Sequence, residues 1–194
     1  MTLSRADIHE LLGARGLSPQ RALGQNFVAD PNTVRRIARL AGVGPGDHVV
    51  EIGPGLGSLT LALAETGAAV TAVEVDDGIV PILSEVVADA DPPVRVVHAD
   101  ATALDWAEVL RPHDGWTLVA NLPYNVATPL VCDLLDLVPE IGSMLVMVQR
   151  EVAERFAASP GTKAYGAVSV KVAYWASADV VARVPASVFV PRPN

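Results

Sequence analysis

Short, almost continuously apolar runs alternate along this chain with stretches whose apolar residues recur every three or four positions. The runs are residues 48–52, 69–75, 94–98, 117–120 and 143–148. A run with no alternating polar position fits a strand buried on both faces. The intervening stretches fit helices with one buried face, over residues 59–65, 78–88, 104–110 and 128–137. Two more helices are predicted at 151–158 and 165–176, and a last strand at 179–184. Buried strands separated by helices predict an α/β fold: a doubly wound, mostly parallel sheet covered on both faces.

The first 45 residues read differently. Ser4 and Asp7 form a capping box ahead of Ile8, Leu11 and Leu12, which predicts a short first helix. Residues 16–24 read as a loop. Asp30 then caps a second helix with Pro31 in its first turn and Val34, Ile37, Ala38 and Ala41 inward. Glycines at 42–46 end it. The expected division is a helical extension over residues 1–45 and an α/β domain over 46–194.

Composition narrows the class. A chain of 194 residues with 51% hydrophobic and 19% charged positions builds a folded core. It has no apolar run of about 18 residues, so no membrane span is expected. Met1 to Glu10 is polar and lacks a signal-peptide core, and the expectation is a cytoplasmic protein. The single cysteine, Cys132, follows Leu130 and Val131 in a helical pattern and reads as a small core residue. His9, His48, His98 and His113 are scattered, so no metal is expected.

Charge looks wrong for a nucleic-acid binder, at −8 overall. Its distribution changes that picture. Residues 1–39 carry +3, residues 40–149 carry −14, and residues 150–194 carry +3. Two basic ends flank an acidic middle, and they can meet a phosphate backbone if they fold onto one face. Ordinary solvated charge explains the same bias equally well.

The candidate chemistry begins with Glu51-Ile-Gly-Pro-Gly-Leu-Gly57, which follows the first long strand and opens a helix. Glycines there let backbone approach a ligand at the carboxyl end of the sheet. Glu74 ends the next strand, where a carboxylate can accept from both hydroxyls of a ribose. Asp100 lies just past the third and can accept from an adenine amine. A nicotinamide dehydrogenase shares this geometry. Here, however, Ser58 fills the last glycine position, and no strand end offers a hydride-transfer acid or base. The adenosine of S-adenosyl-L-methionine fits better, in a Rossmann-like fold.

The fourth of these strands ends in Asn121-Leu122-Pro123-Tyr124. An exocyclic adenine nitrogen is a poor nucleophile because its lone pair is delocalised into the ring. Two acceptors around the amine, the Asn121 side-chain oxygen and the Leu122 carbonyl, can draw it toward tetrahedral geometry. Pro123 restricts Leu122. Tyr124 can stack on an extruded base. Neither a strong base nor a metal is required, since a sulfonium carries its own leaving group and positioning does the rest.

These motifs, in this order, resemble the KsgA/RsmA-type small-subunit ribosomal RNA adenine dimethyltransferases. Gly24-Gln-Asn-Phe27 resembles their N-terminal motif, and Glu51 to Gly57 with Ser58-Leu-Thr60 their donor loop. Asn121 to Asn125 matches their catalytic turn. Val148 to Arg155 and Lys163 to Val170 resemble their later helices, and Phe189-Val-Pro191 their aromatic motif. The likeness runs from about Arg21 to Asn194. It implies a class I methyltransferase fold and N6,N6-dimethylation of two adjacent adenosines in 16S ribosomal RNA during ribosome biogenesis. It implies donor contacts from Gln25, Asn26, Val28, Glu51, Gly53, Gly55, Glu74, Asp100, Ala101 and Asn121. It places Asn121, Leu122, Pro123, Tyr124 and Phe189 around the target adenine. The expected partners are small-subunit ribosomal RNA and the assembling 30S particle, met by a monomer without metal or membrane.

Val28 stands where that family usually has Leu, and the chain is more acidic than the family's norm. The family continues past the segment matching Pro191-Arg-Pro-Asn194 into a further strand and a small helical domain that helps grip RNA. The expectation is that this chain lacks that domain and holds RNA weakly. Two rival functions remain: an Erm-type methyltransferase of large-subunit ribosomal RNA, and a non-catalytic assembly factor. Leu122 and residues 163–170 resemble the small-subunit group more, and intact Glu74, Asp100, Asn121 and Tyr124 argue for catalysis.

Overall fold

The structure is a computed structural model and describes residues 2–20, 23–113, 115–123 and 126–193. Five parallel strands make its central sheet, lying side by side in the order 95–98, 69–74, 48–52, 116–121 and 141–147. They are β2 (His48–Ile52), β3 (Ala69–Glu74), β4 (Arg95–His98), β5 (Trp116–Asn121) and β6 (Ile141–Met147). Each matches a predicted run to within two residues at either end. Helices α3 (Ser58–Ala64), α4 (Val80–Val86), α5 (Trp106–Leu110) and α6 (Ala127–Leu137) connect them. Two further helices, α7 (Arg150–Phe156) and α8 (Ala167–Trp175), follow.

Consecutive residues of a strand face opposite ways, and both faces of the three central strands, β2, β3 and β5, are buried. Val50, Ile52, Leu118 and Ala120 pack with Leu130, Leu134 and Phe156 on one side. Val49, Val70 and Val119 pack with Val34, Leu59 and Leu63 on the other. This explains why the runs carry no polar alternate. Leu118 has no exposed surface, and burying such a side chain contributes about 1.5–3 kcal/mol.

Ahead of the sheet lie α1 (Arg5–Gly13), β1 (Phe27–Val28) and α2 (Pro31–Ala41). The Ser4–Asp7 capping box forms, with Ser4 N–H donating to Asp7 Oδ2 at 2.7 Å. Asp30 Oδ2 accepts from Thr33 N–H at 2.9 Å, Pro31 begins α2, and left-handed Gly42 ends it. Ile37 and Ala38 pack α2 onto the same side of the sheet as α3.

Two features differ from the sequence reading. Residues 179–184 form no strand: no element among the described residues pairs with them, and Val180 and Val181 are 51% and 59% exposed. Val180 and Val181 have neither a ladder partner nor a buried face, and Val184 alone packs in part against the core, so no strand forms. The sequence reading also missed the antiparallel pairing of β1 with β7 (Phe189–Val190), in which Val28 opposes Phe189. Arg5 supports it by donating from Nη2 to the Ser187 carbonyl at 2.8 Å. The two basic ends of the chain are thereby brought together. No helix among the described residues is long and apolar enough to cross a membrane.

Candidate active site at the switch point of the sheet

Strand order reverses between β2 and β5, and their carboxyl ends open a crevice there, the usual ligand position in such sheets. In register, Ile52 of β2 lies beside Ala120 of β5. The residues that follow, Gly53 and Asn121, therefore sit side by side at the mouth.

The glycine loop is shaped by backbone that a side chain would not permit. Gly55 has φ +56°, and a Cβ there would lie 2.8 Å from ring carbons of Phe27. Phe27 can lie against the loop because this position is glycine. Gly53 N–H donates to the Val73 carbonyl at 3.0 Å, pinning the loop to β3.

Glu74 at the end of β3 is almost fully buried. Its Oε2 accepts from Gly55 N–H at 2.9 Å, and its Oε1 from Val75 and Asp76 N–H at 3.0 Å each. Burial pushes its carboxyl above the usual range, while these three N–H groups oppose the shift. Glu51 is wholly buried, and its Oε2 has no hydrogen-bond partner among the described residues. Burial raises its carboxyl to about 8. Asp100 is exposed, and Thr102 holds its Oδ1 with backbone N–H (2.8 Å) and hydroxyl (2.7 Å), which lowers its carboxyl.

Asn121 ends β5. Its Nδ2 donates to the Asn26 carbonyl at 3.1 Å. A carbonyl can only accept, so the amide nitrogen faces Asn26 and Oδ1 is left as the atom available to accept. Leu122 N–H donates to the Met147 carbonyl at 3.0 Å, continuing the β5–β6 ladder past the strand end. Pro123 lies against Gly24, whose φ is +63°.

Two cavities meet on this turn. One, of about 270 Å³, is lined by Gln25, Asn26, Val28, Glu51, Gly53, Gly55, Glu74, Asp100, Ala101 and Asn121. All the expected donor contacts thus share one pocket. The other is a groove of about 910 Å³ reaching from Ile37 and Leu40 across Phe189 to Arg183. Gly24, Asn26, Asn121, Leu122 and Pro123 line both. Phe189 borders the groove but not the smaller pocket. Tyr124, expected beside the target base, lies outside the described residues. The reading from sequence missed Leu23, Thr102 and Val126, which also line the smaller pocket. It missed buried Asp76 as well, whose only signal is its place two residues past Glu74.

The sequence model of the family described as ribosomal RNA adenine dimethylase matches residues 17–194. The chain belongs to the ribosomal RNA adenine dimethylase family. A relative in Bifidobacterium adolescentis, Ribosomal RNA small subunit methyltransferase A, is 48% identical over 99% of this chain and 65% of its own length. The protein of that name in Thermobifida fusca is 51% identical, over 99% of this chain and 67% of its own length. The chain spans about two thirds of the length of these curated relatives. Among solved structures, a dimethyladenosine transferase from Plasmodium falciparum superposes with TM-score 0.73 at 26% identity, over 84% of this chain and 58% of that one. The 23S rRNA methyltransferase ErmE gives 0.74 at 28% identity, over 87% and 66%. The family shares the doubly wound α/β architecture seen here.

Proposed function

We propose that the chain is an S-adenosyl-L-methionine-dependent methyltransferase that dimethylates the N6 amines of two adjacent adenosines in small-subunit ribosomal RNA. One observation carries this reading: the nucleoside-sized pocket and the wide groove share a single wall, made of Gly24, Asn26, Asn121, Leu122 and Pro123. A donor in the first and an RNA base entering through the second meet at that wall.

The residues present suit the donor. Glu74 is held by backbone N–H groups at the ribose position, Asp100 keeps one carboxylate oxygen for an adenine amine, and glycine backbone with apolar side chains such as Val28, Ile52 and Leu130 lines much of the rest. When bound, the sulfonium supplies an activated methyl group with its own leaving group. The chain's part is to hold the amine in line with it. Asn121 Oδ1 and the Leu122 carbonyl accept the two amine hydrogens, and Phe189 and Tyr124 stack on the base. Positioning of this kind supplies the catalysis, and no strong base is needed.

On this reading residues 1–45 are an extension contributing one pocket wall, and residues 46–194 the catalytic domain, in a cytoplasmic monomer acting on the assembling 30S particle. The relatives' names favour the small subunit, while the likeness to ErmE makes 23S RNA the alternative substrate. Both unmethylated subunits should be incubated with the protein and isotopically labelled donor, and the RNA digested for mass spectrometry. Dimethyladenosine confined to 16S RNA is the expected result. Label confined to 23S RNA, or absent from both, would overturn the assignment.

A further inference from the structure

Asp76 is 5% exposed, and its carboxylate is gripped from a distant part of the chain. Its Oδ2 accepts from Nε2 of Gln20 at 2.9 Å and from Nε2 of Gln25 at 2.6 Å. Gln20 and Gln25 also bond to each other. Gln20 N–H donates to Gln25 Oε1 at 2.8 Å, and Gln25 N–H donates to the Gln20 carbonyl at 3.2 Å. Both ends of the Gln25 amide are thus committed, which fixes its orientation: oxygen to Gln20, nitrogen to Asp76.

The same residue reaches the donor pocket from the other side. Asp76 N–H donates to Glu74 Oε1 at 3.0 Å. Asp76 therefore joins the carboxylate at the end of β3 to Gln25, which lines the pocket beside Leu23, Gly24 and Asn26. That wall leads into β1, a strand of two residues. So short a ladder fixes little on its own; buried Phe27 and Val28 anchor the far end of the wall, and the side-chain bonds of Gln20 and Gln25 hold the stretch before it.

We propose that Asp76 is a positioning residue for the methyl donor, clamping the pocket wall at residues 23–28 against the end of β3. The inference rests on reading the 270 Å³ pocket as the donor site. A charged acceptor shared by two amides is stronger than a neutral one, and it acts on the donor only through Gln25 and Glu74.

The competing role is purely structural. Asp76 Oδ1 accepts from Gly78 N–H at 2.9 Å, and its carbonyl accepts from Ile79 and Val80 N–H at the start of α4. Asp76→Asn separates the two roles. Asparagine keeps an oxygen for Gly78 but presents an NH₂ to the two glutamine amides, donor against donor. Gln20→Met is the second probe, because Gln20 lies outside the pocket and supplies one of the two bonds.

The experiment is a calorimetric titration of the full chain with S-adenosyl-L-methionine, with stopped-flow dissociation rates and unliganded melting curves for each variant. Asp76→Asn should weaken donor binding tenfold or more, chiefly through faster dissociation, beside a modest drop in unliganded melting temperature. Gln20→Met should weaken it several-fold, and the double variant by less than the product of the two. Donor binding that stays unchanged in both variants, or a drop in melting temperature without loss of affinity, overturns the clamp. Failure of the unaltered chain to bind the donor would overturn the donor-site reading and the clamp with it.

Discussion

The side chain of Asn121 donates to the backbone carbonyl of Asn26 across 3.1 Å and 95 positions of sequence. This bond joins the turn after β5 to the wall before β1. It also fixes which atom of the Asn121 amide remains to accept a hydrogen. The proposed chemistry therefore depends on a contact between two segments far apart in sequence.

Replacing Asn121 with Ala should cut methyl transfer by at least about a hundredfold while costing about 1 kcal/mol of stability, the usual worth of one hydrogen bond. Asn121→Asp separates two contributions. It keeps an oxygen for the amine but sets a carboxylate oxygen against the Asn26 carbonyl, so the wall should be pushed away and donor affinity should fall as well. Single-turnover rates at saturating donor, beside equilibrium donor binding, check both. Turnover by Asn121→Ala at the unaltered rate would remove this residue from the mechanism.

Glu51 makes the fold sensitive to pH. Burial raises its carboxyl from the ordinary 4.5 to about 8; Thr60 opposes the shift and the nearby charge of Glu74 adds to it. Between those values the unfolded chain has released a proton that the folded chain still holds. Stability is therefore unaffected by this group below about pH 4.5. It then falls by up to about 1.4 kcal/mol per pH unit as pH rises toward 8, and levels off beyond. Glu51→Gln cannot ionise, so its melting temperature should gain on the unaltered chain steadily from about pH 5 to pH 8. A difference between the two that stays flat across that range would show that Glu51 is ionised in the folded protein.

Most of the sheet could be read from the chain because its central strands are buried on both faces, and short β-branched runs such as Val-Val-Glu-Ile or Ala-Val-Thr-Ala-Val, bounded by glycines, fit such strands better than helices. The donor contacts were legible for a related reason: Gly53, Gly55, Glu74 and Asp100 stand at strand ends, and strand ends gather at one edge. What escaped was non-local. Phe27–Val28 is too short to carry a period, and its partner Phe189–Val190 lies at the far end of the chain. Asp76 looks like one acid among many until Gln20 and Gln25 fold onto it. Residues 179–184 misled in the opposite direction, since apolar β-branched residues favour a strand only where a neighbour takes their hydrogen bonds.

Gly24 and Pro123 test whether the N-terminal wall sets the position of the turn. A Cβ on Gly24 would lie 2.6 Å from the Pro123 Cβ and 3.3 Å from its Cα, and φ is +63°. Gly24→Ala should cost about 1–2 kcal/mol from the left-handed backbone alone and displace Asn121-Leu122-Pro123 besides. Methyl transfer should fall by more than donor binding, because the turn holds the acceptors for the amine. The comparison needs rate and affinity on the same preparation, and an equal fall in both would place the damage in the donor pocket instead.

Phe189 separates packing from recognition. It is buried against Val28 across the β1–β7 pair and borders the groove. Phe189→Ala would remove both contributions, with about 3–5 kcal/mol lost to the cavity, and would decide nothing. Phe189→Leu keeps most of the volume, costing under about 1.5 kcal/mol, and removes the ring. Stacking on a base is worth about 1–3 kcal/mol. Methylation of unmodified small subunits should therefore drop about tenfold to a hundredfold. Donor affinity should hold, because this side chain does not line the smaller pocket. If the leucine variant methylates at the original rate, the base is held by other groups and Phe189 serves only to fasten β7 to β1.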